Sequence, residues 1–357
     1  MQVQENVPLA PLTTFKVGGP AKYFVDARTT KEISEAVAFA QSRSLPLFVL
    51  GGGSNLVISD SGWPGLVVKI GIIGIDDRIE GSKKVFEVGA GEEWDKFVAL
   101  TVGKNCAGLE CLSGIPGSVG GTPVQNVGAY GQEVSETIES VLALDLKDGQ
   151  LHELCNDACG FSYRSSIFNT SQKGRYIIIR VTYALSPGGE PQIRYADLKK
   201  HFFGWEEKPK LADVREAVRR IRASKGMLIT PGDDDCRSAG SFFKNPVLSQ
   251  EQHDTLVQRA KTKGFAVPSY PALESQHKVS AAWLVEHSGF SKGFGDGRVG
   301  ISRKHALAIV NRGEATAADI LDFKEHIQDR VEEIWGVRLH PEPVFVGTEN
   351  HELRTGN

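Results

Sequence analysis

The sequence predicts an α+β protein built from more than one part, and three observations predict it. At 357 residues the chain is long for a single hydrophobic core, which favours two or three domains. Short apolar runs of strand length alternate with stretches whose apolar residues recur at helical spacing. Two glycine-rich passages interrupt this pattern, and loops of that composition let a backbone approach a ligand closely.

The first part, residues 1–75, reads strand, helix, strand. Tyr23-Phe24-Val25 is a short strand, and Thr29-Thr30-Lys31-Glu32 forms a capping box that opens a helix with Ile33, Val37 and Ala40 on one face. Pro46 precedes Leu47-Phe48-Val49-Leu50, a buried strand that runs straight into Gly51-Gly52-Gly53-Ser54-Asn55. Residues 76–225 repeat the theme. Val85-Phe86-Glu87-Val88 is followed by a helix carrying Trp94, Phe97, Val98 and Val102, then by glycine-rich chain from Gly108 to Gly131. Strands follow around Val141–Leu144 and Tyr176–Thr182, and a helix with Val214, Ala217, Val218 and Ile221 in register closes the part. Residues 226–340 open on the acidic loop Gly232-Asp233-Asp234-Asp235, read here as a solvated insertion. They continue through helices near 249–263 and 279–288, strands near 299–310, and a last helix with Ile320, Phe323, Ile327, Val331 and Ile334 on one side. Gly336 is a natural stop for it. The tail 341–357 returns to strand-like Val344-Phe345-Val346 and is expected to pack near the first part.

Composition narrows the function. With 40% apolar and 24% charged residues and a formal net charge of -3, the chain has the balance of a soluble globular protein. It lacks a basic cluster of five or more residues, so neither nucleic acid nor an anionic membrane is an expected partner. No signal peptide or membrane span is readable, and the five cysteines, Cys106, Cys111, Cys155, Cys159 and Cys236, fit neither a CxxC pair nor a zinc-finger spacing. Reduced thiols, a cytoplasmic location, a monomer and no bound metal are expected.

Gly51-Gly52-Gly53-Ser54-Asn55 offers unobstructed backbone N–H groups with a hydroxyl and an amide, which suits a pyrophosphate, or else is a tight turn. It lacks the G-x-G-x-x-G spacing of a Rossmann site. The passage Gly114-Ile115-Pro116-Gly117-Ser118-Val119-Gly120-Gly121-Thr122-Pro123-Val124-Gln125-Asn126-Val127-Gly128-Ala129-Tyr130-Gly131 is longer than a structural loop needs, and close approach to a large flat or phosphorylated ligand explains it better than an Ω-loop. A third segment, Ser238-Ala239-Gly240-Ser241-Phe242-Phe243-Lys244-Asn245-Pro246, sets a hydroxyl, a cation and an amide beside two aromatic rings, the composition of a substrate site. Phe242 and Phe243 are either the apolar wall of that site or anchors in the core.

In this order the segments resemble the UDP-N-acetylenolpyruvoylglucosamine reductases, the flavoenzymes that complete UDP-N-acetylmuramate for bacterial peptidoglycan. The resemblance is carried by Pro11-Leu12-Thr13-Thr14-Phe15-Lys16-Val17-Gly18-Gly19-Pro20, Leu50 through Asn55, Gly114-Ile115-Pro116-Gly117, Gln125-Asn126-Val127-Gly128-Ala129-Tyr130-Gly131, Tyr163-Arg164-Ser165-Ser166-Ile167-Phe168 and the Ser241 segment. It runs from residue 11 to about 347.

What the resemblance implies is specific. Residues 1–75 and 76–225 would be two halves of an FAD-binding region similar to the vanillyl-alcohol-oxidase (PCMH) type, and 226–340 an α+β substrate domain. FAD would be held non-covalently through Gly51, Gly52, Gly53, Ser54, Asn55, Gly114, Ile115, Pro116, Gly117, Gly120, Gln125, Asn126, Gly128 and Ala129. The implied reaction takes hydride from NADPH and passes it to the enolpyruvyl UDP-sugar. Arg164 would grip the substrate carboxylate, Ser241 would give the proton, and Glu342 would be a second polarising group, a role open to a carboxyl only if protonated or bridged by a donor. Substrate contacts would come from Tyr195, Lys225 and Asn245, from Tyr270 and Lys278 at the diphosphate, and from His305 at the enolpyruvyl end. The segment Ile193-Arg194-Tyr195-Ala196-Asp197-Leu198 resembles the extra tyrosine loop of one type within the family. The chain departs from better-known members in the long interval between Lys225 and Ser241, which weakens the Lys225 match.

Overall fold

The computed structural model describes residues 1–271 and 275–348. They divide into two compact units woven from non-contiguous segments. The first holds Met1–Val7, Ala21–Gly53 and Trp63–Ser224; the second holds Pro8–Pro20, Ser54–Gly62 and the described residues from Lys225 onward. Contiguous parts at 1–75, 76–225 and 226–340 therefore differ from the observed division, because two short N-terminal segments pack with C-terminal chain.

In the first unit, Pro20–Ala27 and Leu47–Leu50 both pair in parallel with Trp63–Ile70 between them. Such pairing needs a crossover, and the helix Thr30–Ser42 supplies it. Thr29 and Glu32 close the expected capping box at its start, and Ile33, Ala36 and Ala40 are its buried positions. A second, antiparallel sheet has the order Leu151–Cys155, Ile138–Asp145, Tyr176–Pro187, Lys83–Gly89, Ile75–Glu80. One buried apolar cluster joins both sheets, running from Val25, Ile33 and Leu66 to Phe86, Phe97 and Val181. At its centre Trp94, Phe97 and Tyr183 lie with ring centroids 5.1–5.9 Å apart. The Tyr183 hydroxyl shares a buried 2.7 Å hydrogen bond with Thr122, which ties the glycine-rich passage to the sheet. A smaller cluster seats the helix Leu211–Ser224, through Val214, Ala217 and Val218, against Cys111, Tyr130, Leu198 and Phe202.

In the second unit, Leu56–Ile58 pairs in parallel with Val344–Val346. The hairpin Val299–Ile301/Ile309–Asn311 and the three-stranded sheet of Val247–Leu248, His277–Val279 and Ser269–Pro271 are antiparallel. The helices Gln250–Thr262, Ala281–Glu286 and Ala317–Trp335 complete the unit. The longest buries Ile320, Ile327 and Val331 and ends at Gly336 with φ 70°, a left-handed conformation that glycine adopts without a Cβ penalty. Phe242 and Phe243, open at the sequence level between ligand wall and core, are core: they are 0% and 2% exposed, and Phe242 packs edge-on against Phe15.

The acidic loop is a correction. It is not a solvated insertion: Asp233 accepts a hydrogen bond from Lys304 Nζ and caps a short 3-10 turn through Asp235 N. Asp235 and Cys236 are buried, and the Cys236 thiol lies 2.8 Å from the Leu228 carbonyl. The Lys304 bond holds the Asp233 carboxyl below the usual carboxylate range. All five cysteines are unpaired.

Candidate functional site

In the first unit the two glycine-rich segments lie against each other. A Cβ on Gly52 would fall 2.5 Å from Gly117 Cα and 2.8 Å from Ser118 N, and one on Gly51 would fall 2.9 Å from Ser118 Oγ. Glycine is therefore demanded at position 52 by backbone-on-backbone contact. The Ser118 hydroxyl beside them is buried and has no hydrogen-bond partner among the described residues. An unpartnered buried hydroxyl in a cradle stripped of side chains fits a polar, phosphate-bearing group, since burying such a hydroxyl without compensation is costly.

Much of the longer passage is committed to the protein itself. Gly114 donates its N–H to Asp95 Oδ1 at 2.6 Å, and its carbonyl accepts from Arg222 Nε at 3.1 Å. Burial pushes the Arg222 guanidinium below its ordinary value, against the influence of Tyr130 and Asp95. Burial raises Asp95, but its bonds from Arg215 and Gly114 and the charges of Arg215 and Arg219 outweigh that and hold it low. Gly120 gives its N–H to the Ala90 carbonyl. Asn126 spends its side chain on Glu133, the Ser162 carbonyl and the Ser135 N–H, so its amide fixes the loop. Ile115, Pro116, Gly117, Gln125 and Ala129 line the same passage, half-buried.

Arg164 is brought to this passage. Its Nη2 donates to the Gly128 carbonyl at 2.6 Å, and its backbone sits in the left-handed region at φ 54°, where non-glycine residues are uncommon. The Asn169 side chain braces the strained residue by donating to the Arg164 carbonyl. Tyr195 caps the helix Ala196–His201, is 45% exposed, and meets Tyr130 edge-on with ring centroids 5.4 Å apart.

In the second unit, backbone hydrogen bonds set three segments side by side. Phe242 N–H donates to the Leu307 carbonyl, Glu342 N–H donates to the Phe242 carbonyl, and Lys244 N–H donates to the His340 carbonyl. This pairing sets the Ser241 segment beside the turn that carries His305 and beside the segment of Glu342, and the Ser241 hydroxyl lies 3.3 Å from His305 Nε2. Burial, with the charges of Lys225 and Lys292, pushes the His305 imidazole down to about 4. Ser54 and Asn55 belong to this unit, apart from Gly51–Gly53. Ser54 accepts at its carbonyl from Thr14 Oγ1, and the Asn55 amide donates to the Glu342 carbonyl at 3.2 Å. Asn245 uses its side-chain oxygen on the Ala281 N–H at 2.9 Å, at the start of a helix. Tyr270 and Lys278 are direct cross-strand partners, which puts the two expected diphosphate contacts together.

The relatives agree along nearly the whole chain. Residues 21–154 match the family described as FAD binding domain, and residues 231–346 match UDP-N-acetylenolpyruvoylglucosamine reductase, C-terminal domain. The UDP-N-acetylenolpyruvoylglucosamine reductase of Streptomyces coelicolor is 46% identical over 97% of this chain and 91% of its own length. The chain belongs to the UDP-N-acetylenolpyruvoylglucosamine reductase family. The reductase of Thermobifida fusca is 44% identical, covering 96% of this chain and 97% of its own. A crystal structure of the Thermus caldophilus reductase superposes with a TM-score of 0.65 at 28% identity, covering 97% of this chain and 99% of that one. As a family member the chain is an oxidoreductase with an FAD-binding domain, on an α+β fold.

Sequence reasoning passed over Ser118, Arg222 and Lys292. Ser118 lies inside the glycine passage but looks like one more loop serine. Arg222 follows Val214 and Val218 at a stride of four, so its inward face was readable. Lys292 carried no signal, since it comes to His305 only through the turn before the hairpin.

Proposed function

We propose that this protein reduces UDP-N-acetylenolpyruvoylglucosamine to UDP-N-acetylmuramate, with NADPH as reductant and Ser241 as proton source. The observation that carries the reading is the set of backbone hydrogen bonds that draws the Ser241 segment, the His305 turn and the Glu342 segment together, with the Ser241 hydroxyl hydrogen-bonded inside the unit. The chemistry a bound FAD supplies is hydride relay from NADPH to the terminal carbon of the substrate alkene. The cradle of Gly51, Gly52, Gly117 and the unpartnered Ser118 hydroxyl would hold its phosphate-bearing part.

The remaining work falls to side chains. Hydride arriving at the terminal carbon leaves an electron pair on the neighbouring carbon and its carboxylate. Arg164, preset by Gly128, offers a guanidinium to that carboxylate, a contact that strengthens as charge develops. Ser241 delivers its hydroxyl proton to the carbanionic carbon, which completes the saturated lactyl ether. Glu342, fixed at both its N–H and its carbonyl, presents its carboxyl as the second polarising group. Lys225 and Asn245, with Tyr270 and Lys278 at the diphosphate and Tyr195 over the substrate, supply binding. The reaction belongs to peptidoglycan precursor synthesis, and the type is the one with the tyrosine loop.

Purified protein should be yellow, bleach anaerobically with NADPH and regain its colour on adding the enolpyruvyl substrate. Ser241→Ala should bleach normally and recover slowly. A protein that takes up no FAD, or equal loss of both half-reactions in Ser241→Ala, would overturn the proposal.

A further inference from the structure

We infer that His305 is a positioning residue for Ser241: its Nε2–H donates to the Ser241 oxygen and so leaves the serine's own proton free for the substrate carbon. The inference rests on the reading of Ser241 as proton source and goes beyond it, because the family resemblance assigns His305 to the substrate instead.

The geometry begins with the main chain. Phe242 N–H on the Leu307 carbonyl, at 2.8 Å, locks the serine segment beside the turn that carries the histidine. That turn is itself fixed. Ser302 Oγ accepts from both Lys304 N and His305 N, at 3.0 and 3.2 Å, and the His305 carbonyl accepts from Ala308 N. The imidazole is therefore delivered to Ser241 Oγ, 3.3 Å away, by a backbone with little freedom. Burial and the charges of Lys225 and Lys292 both disfavour the imidazolium. A neutral ring carries one N–H and one bare nitrogen.

Which nitrogen carries the proton follows from the chemistry required. A hydroxyl has one proton, and if Ser241 donated it to a bare Nε2 it could not aim it at the substrate. With the proton on Nε2 the serine oxygen is the acceptor, and its O–H rotates outward. During transfer the Ser241 O–H bond breaks as the substrate C–H bond forms, and the oxygen keeps the electron pair. The Nε2–H bond to that oxygen strengthens as negative charge grows there, which is the differential stabilisation that lowers a barrier. Water restores the serine proton after product leaves. No charge on His305 is needed at any stage.

The test is a double-mutant cycle on the FAD-loaded enzyme, read by the recovery of flavin colour on adding the enolpyruvyl substrate. His305→Phe should slow recovery on the order of 100-fold and leave bleaching by NADPH unchanged. His305→Gln, whose amide still donates an N–H, should regain most of the rate. Placed on Ser241→Ala, His305→Phe should add nothing, because the two residues act as a unit. A separate readout needs no turnover: the 15N spectrum of the His305 ring should show the proton on Nε2, with that resonance moving in Ser241→Ala. A proton on Nδ1, or fully additive losses while Ser241→Ala keeps its selective effect on recovery, overturns the role of His305 alone. Equal loss of both half-reactions in Ser241→Ala instead overturns the reading on which it rests.

Discussion

Asn55 donates its side-chain amide to the main-chain carbonyl of Glu342 across 3.2 Å, while the Asn55 carbonyl accepts from Val344 N–H. The asparagine that ends the glycine run thus anchors the segment bearing a proposed polarising group, just ahead of the strand Val344–Val346. Asn55→Asp keeps the shape but sets a carboxylate against a carbonyl. It should cost roughly 1–3 kcal/mol in urea denaturation and slow recovery of flavin colour with substrate. An unchanged midpoint would dismiss the anchor.

Gly52→Ala should damage the first unit, because its Cβ would meet Gly117 and Ser118 backbone that cannot rotate away. We expect a loss of about 1–3 kcal/mol and a lower flavin-to-protein absorbance ratio after gel filtration. Wild-type flavin retention in the variant would mean that the two glycine segments do not form the cradle.

Arg164→Lys keeps the charge and gives up the planar fork. Substrate should bind more weakly and flavin recovery should slow by about tenfold or more, while NADPH bleaching holds. Single-turnover mixing over a substrate series separates these, and a lysine as good as arginine would rule out a guanidinium-specific grip.

Phe242→Ala removes a fully buried ring that packs on Phe15, Phe243 and Phe345. Thermal or urea unfolding should report about 3–5 kcal/mol, far more than a ligand-lining residue would cost.

The depressed His305 value sets a pH dependence. Between its ordinary value of 6.5 and about 4, the unfolded chain binds a proton that the folded one refuses, so stability rises with pH across that window. His305 therefore costs nothing above 6.5, and stability is lost as pH falls toward 4. Unfolding free energies from urea titrations at pH 7 and pH 5 should differ by about 2 kcal/mol from this group, and His305→Gln should remove that share. An equal slope in the variant would place the titration elsewhere.

Local signals were readable because local physics dictates them. The Thr29–Glu32 capping box, the Gly336 stop and the apolar stride of Ala317–Trp335 each follow from contacts a few residues apart. The Ser241 segment and the glycine passages stood out as well, since those residue types in such runs are poor material for a core or a plain loop, whereas Arg164 came only with the family resemblance. The acidic loop was misread because three aspartates look solvated until a distant lysine, Lys304, is brought to one of them.

The sequence by itself determined the elements, the α+β class, the family and the residue types available for chemistry. Tertiary structure alone decided which of them meet. It sent Phe242 and Phe243 into the core, spent Asn126 and Gly120 on holding the loop, made Gly52 a matter of backbone clearance, and set His305 beside Ser241 across 64 residues of sequence. The reason is physical: propensity and periodicity act over one turn or one strand, whereas hydrogen-bond partners and burial depend on long-range pairing. In this chain that pairing runs from Asn55 to Glu342.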